Sequence, residues 1–165
     1  GHANQQPEGI LNGTVVTRVT AGQTGAITTD DIVSLIYAVP AQYRRAAVLI
    51  VASSTEKAMR LLKDTNGQYL WRPSLIAKAP STFDGYVVMN QESVPAIPAA
   101  AVLGDVAIFG DIRIGYQIRD RKGITIQRLN ELYSTSGMVG FKLRTRVAGG
   151  VTKPDALRVL SVPVA

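Results

Sequence analysis

Between Val106 and Leu129 the chain reads VAIFGDIRIGYQIRDRKGITIQRL, and this pattern limits the fold more than any other stretch. Val106 to Phe109 is an apolar run that stops at Gly110-Asp111, a turn pair. Ile112 to Arg119 then alternates: Ile112, Ile114, Tyr116 and Ile118 on one parity, Arg113, Gly115, Gln117 and Arg119 on the other. A period of two predicts a strand with one apolar and one polar face. Arg121-Lys122-Gly123 predicts a turn into a third run, Ile124 to Leu129. Sheet of this kind holds a shape; it contains no set of nucleophile, base and orienting group.

A second alternation lies downstream. Val139, Phe141, Leu143, Thr145 and Val147 share one parity, and Gly140, Lys142, Arg144 and Arg146 the other. This predicts a long strand, Met138 to Val147, with a wet basic face, paired with Ile124 to Leu129 as a hairpin whose tip is Asn130 to Gly137. Gly149-Gly150 predicts the strand's end, and Leu157 to Val164 a final strand.

Two helices have start signals. Thr28 as N-cap with Asp31 three residues on predicts a capping box, followed by an apolar stripe of Ile32, Leu35, Ile36 and Val39 that Pro40 ends. Ser53 with Glu56 predicts a second box, with Ala58, Leu61 and Leu62 facing the core and Lys57, Arg60 and Lys63 facing solvent. Strands are expected at Thr14 to Thr20, Ala47 to Ala52, Tyr86 to Met89 and Val102 to Phe109, and Arg44-Arg45 in a short polar stretch. Tyr69, Leu70 and Trp71 form an apolar knot; Trp71 is a binding platform in one reading and core or subunit contact in the favoured one. The expected core is Ile32, Leu35, Ile36, Val48, Ile50, Ile108, Phe109, Ile114 and Ile118.

Composition excludes several chemistries. The 165 residues hold no Cys, which excludes disulfides, thiol catalysis and Cys-type zinc sites, and one His, His2, which argues against a His-based triad or a His-cluster metal site. The apolar runs are strand length, far short of a membrane span. A net charge of +6 permits weak attraction to polyanions. Val147-Ala148-Gly149-Gly150-Val151-Thr152-Lys153 lacks the ending of a phosphate loop and reads as a strand-end bend. Asp105 and Asp111, six residues apart, read as turn formers rather than a carboxylate pair. The opening Gly-His without Met reads as a tag scar, a processed end or a fragment boundary.

The ordered series FGD, GY and I-x-D-R-x-G around residues 109–123, with LKD…GQYLW and GYVV upstream, RTRVAGGV and PDAL downstream, and QPEGIL near the start, resembles the C-terminal half of tailed-bacteriophage major capsid proteins. The likeness covers nearly the whole chain. It implies an α+β, HK97-like capsid fold and a structural, non-enzymatic role without cofactors. Mapped here, residues 1–20 are a connector, 21–120 an axial domain, 121–148 a peripheral β-hairpin and 149–165 a return strand to the axial domain. The N-terminal arm, extended loop and long helix of the family would precede Gly1.

The same resemblance implies a virion component, assembled in a bacterial cytoplasm. Its partners would be copies of itself in pentamers and hexamers, packaged DNA through weak electrostatics and a scaffold or protease, with no membrane. Arg113, Arg119, Asp120, Arg121, Asn130, Arg144 and Arg146 are the candidate intersubunit contacts. Some members form a Lys–Asn isopeptide cross-link; Asn130 is the residue nearest such a position, and no matching catalytic Glu is evident. An encapsulin-like compartment shares the fold, and a basic nucleic-acid-binding module is a rival of another class.

Overall fold

The computed structural model describes residues 7–64, 66–71, 81–98, 104–129 and 134–163, and of Arg121, Lys122 and Ser134 the backbone alone. Among the described residues eight strands form two separate sheets. Strands β1 (Arg18–Thr20), β2 (Val48–Val51), β3 (Thr82–Phe83), β4 (Tyr86–Asn90), β5 (Gly104–Gly110) and β8 (Leu157–Val162) make a six-stranded mixed sheet in the order β1-β8-β5-β2-β4-β3. Strands β6 (Tyr116–Leu129) and β7 (Gly140–Val151) make a two-stranded antiparallel ribbon. In the larger sheet β1 runs parallel to β8 and β2 to β4, while the other neighbours are antiparallel.

Helix α1 (Thr29–Ala38) forms as its residues dictate. Thr28 Oγ1 accepts from Asp31 N at 3.3 Å, and the Asp31 carboxylate accepts from Thr28 N at 2.8 Å and from Gly22 N at 2.8 Å. Ile32, Leu35, Ile36 and Val39 are buried against Leu49, Val51, Phe109, Leu160 and Val162 on one face of the large sheet. The opposite face is covered by the incoming chain: Ile10, Leu11 and Val16 pack with Val94 on Ile108, Leu157 and Val159. After Pro40 the polar stretch makes one more turn of helix, α2 (Ala41–Arg44).

Helix α3 (Ser53–Arg60) starts one residue earlier than expected, with Ala52 at the N-cap. Ser53 instead donates from Oγ and N to Glu92, and Glu56 turns inward. Its carboxylate accepts from Arg60 and Asn90, so Arg60 is tied back rather than facing solvent. Met59 and Thr55 are the buried residues here, while Leu61 is exposed. Trp71 belongs to the core, with Nε1 donating to Thr82 O at 2.7 Å, but Tyr69 and Leu70 are exposed.

The largest correction falls at 112–118. Asp111 accepts from Arg113 N and Ile114 N and caps a helical turn, α4 (Ile112–Gly115), where alternation predicts strand. Gly110 at φ 145° and Gly115 let this turn sit on the start of β8: a Cβ on Gly110 would lie 2.0 Å from Ala156 O, and one on Gly115 2.5 Å from Leu157 Cγ. The strand therefore begins at Tyr116, and Ile114 and Ile118 are exposed rather than core. Val48 and Ile50 are half-buried.

Arg121-Lys122-Gly123 does not turn the chain either. Its extra residues are absorbed as register shifts between Asp120 and Thr125, so β6 runs unbroken for 14 residues. Likewise Gly149 and Gly150 do not end β7 but pair with Ile118 and Gln117.

Candidate functional site

The ribbon's pairing, Leu129↔Gly140 through Tyr116↔Val151, fixes which side chains share a face. Arg119 stands opposite Ala148, Lys122 opposite Arg146, Thr125 opposite Arg144 and Gln127 opposite Lys142. Directly opposed residues project to one side. Arg119, Lys142, Arg144 and Arg146 thus form one basic face, with Ala148, Thr125 and Gln127 among them and no acid in register. The Arg119 guanidinium donates to Gln117 Oε1 at 3.1 Å.

Arg144 and Arg146, two residues apart along one strand, are separated by about 7 Å. They line a small notch of about 130 Å³ with Gly123 and Thr125. A wider groove of about 420 Å³ lies at the ribbon's root between Gln117, Arg119 and Gly149–Thr152. Exposed guanidinium forks in this arrangement take carboxylates or phosphates.

The other face carries an exposed apolar row, with Ile118 71% exposed, Ile126 64%, Phe141 66% and Leu143 63%, and Arg128 on the same side opposite Phe141. Asp120, opposite Val147, lies on this side. A two-stranded ribbon is marginal in water without a covered apolar face. Large contiguous apolar surface of this kind marks an interaction site.

Of the other expected contacts, Arg113 is exposed on α4, the helical turn that precedes the ribbon. Arg121 lies in β6 with only its backbone described, and Asn130 lies outside the described residues. The ribbon thus puts Arg119, Arg144 and Arg146 on one face and Asp120 on the other.

The ribbon's root is fastened to the body at several points. Glu8 N donates to Gly149 O at 2.9 Å, Tyr116 Oη donates to Glu8 O at 2.8 Å, and Thr152 N donates to Gly115 O at 2.8 Å. Farther along, Arg18 pairs with Asp105 at 3.0 Å, donates to Leu11 O at 2.9 Å, and shares Asp105 with Ser161. Apart from the Arg18–Leu11 bond, these links join residues far apart in the chain and were not legible in the sequence.

Asp105 and Asp111 sit beside opposite ends of β5, one in an ion pair and one capping α4, with no shared task. Among the described residues, the fold clearly moves the titration of the Glu56 and Asp31 carboxyls. Burial pushes each up, but the hydrogen bonds outweigh it: Asn90 and Arg60 hold Glu56 below its usual range, and Gly22 and Thr28 hold Asp31 below its own. Both are parts of the scaffold. Among the described residues no group of three or more His, Asp or Glu side chains is placed to hold a metal, and no helix is long and apolar enough to cross a membrane.

The phage capsid family model matches residues 1–162. This chain belongs to the phage capsid family. It is a family of capsid structural proteins. The capsid of an empty GTA (gene-transfer-agent) particle is 32% identical with a TM-score of 0.72, over 91% of this chain and 50% of that one. The capsid of the native GTA particle is 31% identical with a TM-score of 0.73, over 100% and 56%. The holo-SrpI encapsulin complex from Synechococcus elongatus PCC 7942 is 20% identical with a TM-score of 0.60, over 92% and 55%, a likeness of fold alone. This phage capsid family chain therefore has the HK97-like fold with mixed α and β content, and spans about half the length of these relatives. No curated protein sequence matches it significantly.

Proposed function

We propose that this chain is part of a major capsid protein that assembles, in many copies, into the shell of a phage or gene-transfer-agent particle. The observation that carries the reading is the ribbon: paired from root to tip apart from the register shifts between Asp120 and Thr125, yet with an apolar row open on one side and a basic row on the other. Such an element is stable when neighbouring chain covers it. In this reading the apolar row lies under the long helix that the family resemblance implies. The basic row meets acidic groups of adjacent subunits.

Residues 21–120 with 149–165 act as the axial domain around the shell's symmetry axes, 121–148 as the peripheral hairpin, and 1–20 as the connector. Arg113, Arg119, Asp120, Arg121, Asn130, Arg144 and Arg146 are its intersubunit contacts. The parent protein encloses DNA, held by weak electrostatics, with a scaffold or protease assisting assembly in the host cytoplasm. The 32% identity to a GTA capsid supports this over an encapsulin-like compartment, which is supported by fold alone.

Electron microscopy of the full-length protein, expressed alone and with its neighbouring genes, tests the reading. Closed polyhedral shells that contain DNA are expected. Shells filled with an enzyme would move the assignment to the compartment, and the absence of shells in both preparations would end it.

A further inference from the structure

A second basic site lies away from the ribbon. Arg44 closes α2, and its guanidinium lies over the Tyr37 ring, 4.7 Å from the centroid. Stacking occupies the flat face of a guanidinium and leaves its N–H edge for hydrogen bonds. The Arg44 Nε is buried and has no hydrogen-bond partner among the described residues, so it is the terminal nitrogens of Arg44 that can meet an incoming group. Arg45 follows and is exposed; among the described residues neither arginine is in an ion pair. Together with Ala46–Val48 and Gly85–Val87 they line an open cleft of about 440 Å³ where the parallel strands β2 and β4 begin.

The surroundings indicate the kind of partner. Tyr37 is 67% exposed, and Val33, one helical turn before it, is exposed as well. Exposed Tyr and Arg above an apolar margin is the composition of a protein–protein contact centre. A nucleic-acid track needs a line of cations or stacked aromatics, and this cleft offers two cations in a short recess.

We propose that the cleft receives an acidic side chain from a second copy of this chain. The carboxylate accepts hydrogen bonds from Arg44 and Arg45, and Tyr37 forms the apolar shoulder of the contact. The inference rests on the shell reading above and adds to it a contact site on the six-stranded body, independent of the ribbon.

Arg44→Lys and Arg45→Lys each place an amine in the cleft that a water-soluble carbodiimide can join to an incoming carboxylate. Each variant is mixed as isotope-labelled and unlabelled copies, cross-linked at low and high salt, and mapped by mass spectrometry. Links between copies from position 44 or 45 to an Asp or Glu, at least about tenfold fewer at high salt, are expected. Links between copies that run only through the native lysines would overturn the cleft assignment and leave the shell reading intact. No links between copies in either variant would count against both. Binding of the unaltered chain to a short DNA duplex, lost about tenfold in Arg44→Gln, would make nucleic acid the occupant and overturn the proposal.

Discussion

The phenol of Tyr116, the first residue of the ribbon, donates a hydrogen bond to the backbone carbonyl of Glu8, 2.8 Å away and 108 positions earlier in the chain. Glu8 N in turn donates to Gly149 O, on the strand facing Tyr116. The incoming chain is thereby laid across the joint between ribbon and sheet. Gly149 permits this because a Cβ there would lie 2.6 Å from Tyr116 Oη and 3.3 Å from Pro7 Cβ. The joint yields a test of coupling. Gly149→Ala should cost about 1–3 kcal/mol by overpacking, and Tyr116→Phe about 0.5–1.5 kcal/mol for the lost hydrogen bond. Since the phenyl ring without its hydroxyl relieves the clash, the double variant should be more stable than the sum of the two costs predicts. Urea melts of the four proteins measure this, and simple additivity would show that the contact is not made.

Leu35 and Ile118 separate the core from the ribbon face. Leu35 is fully buried under the large sheet, so Leu35→Ala should cost about 2–5 kcal/mol. Ile118→Ala, on the exposed row, should stay within about 0.5 kcal/mol in this chain. Equal losses in thermal melts would mean that the ribbon's apolar face is already covered.

Asp111 launches the ribbon. Asp111→Ala removes the acceptor for Arg113 N and Ile114 N and should cost about 0.5–2 kcal/mol, with Asp111→Asn milder. An unchanged melting temperature for Asp111→Ala would show that α4 is held by packing alone.

Acid should destabilise the body through Glu56 and Asp31. Burial raises both carboxyls, but their hydrogen bonds lower them further, so each ends below its unfolded value. Their contribution is therefore complete above the unfolded pKa, about 4, and is lost as pH falls from there through the folded pKa. Melts between pH 7 and pH 3 should fall most steeply below about pH 4.5. Glu56→Gln should flatten that fall; an equally steep decline in the variant would place the acid sensitivity elsewhere.

Self-association of this chain should be weak and sensitive to salt. Charged surfaces register partners more than they hold them, and exposed charges are screened beyond about 8 Å at physiological salt. Light scattering over protein and salt concentrations checks this. A tight ring that survives high salt would show that apolar contacts on the sheet body suffice.

The family likeness was legible as an ordered series of short motifs, and the pairing of the two long alternating segments was legible as well. Arg144 and Arg146 were placed on one face by parity alone, and the register adds Arg119 beside them. Asp120, its neighbour in sequence, goes to the opposite face. The Arg44 cleft had no signal, because it is made by two strand entries far apart in the chain and by a ring one turn before α2.

What the sequence determined by itself is local. The Thr28–Asp31 box and the Ile32, Leu35, Ile36, Val39 stripe are set within one or two turns of helix, so they formed as read. The absence of Cys leaves this stretch no disulfide or thiol chemistry, and its one His, His2, cannot form a cluster of imidazoles by itself. Tertiary structure decided the rest. A period of two says which residues share a face, but not whether anything lies over it. Ile114 and Ile118 read as core for that reason and stand exposed, while Glu56 reads as a cap and is drawn inside by Arg60 and Asn90. Whether Asp111 began a strand or a helical turn was settled by Gly110 and Gly115. These let the backbone come against Ala156 and Leu157, more than forty residues later in the chain.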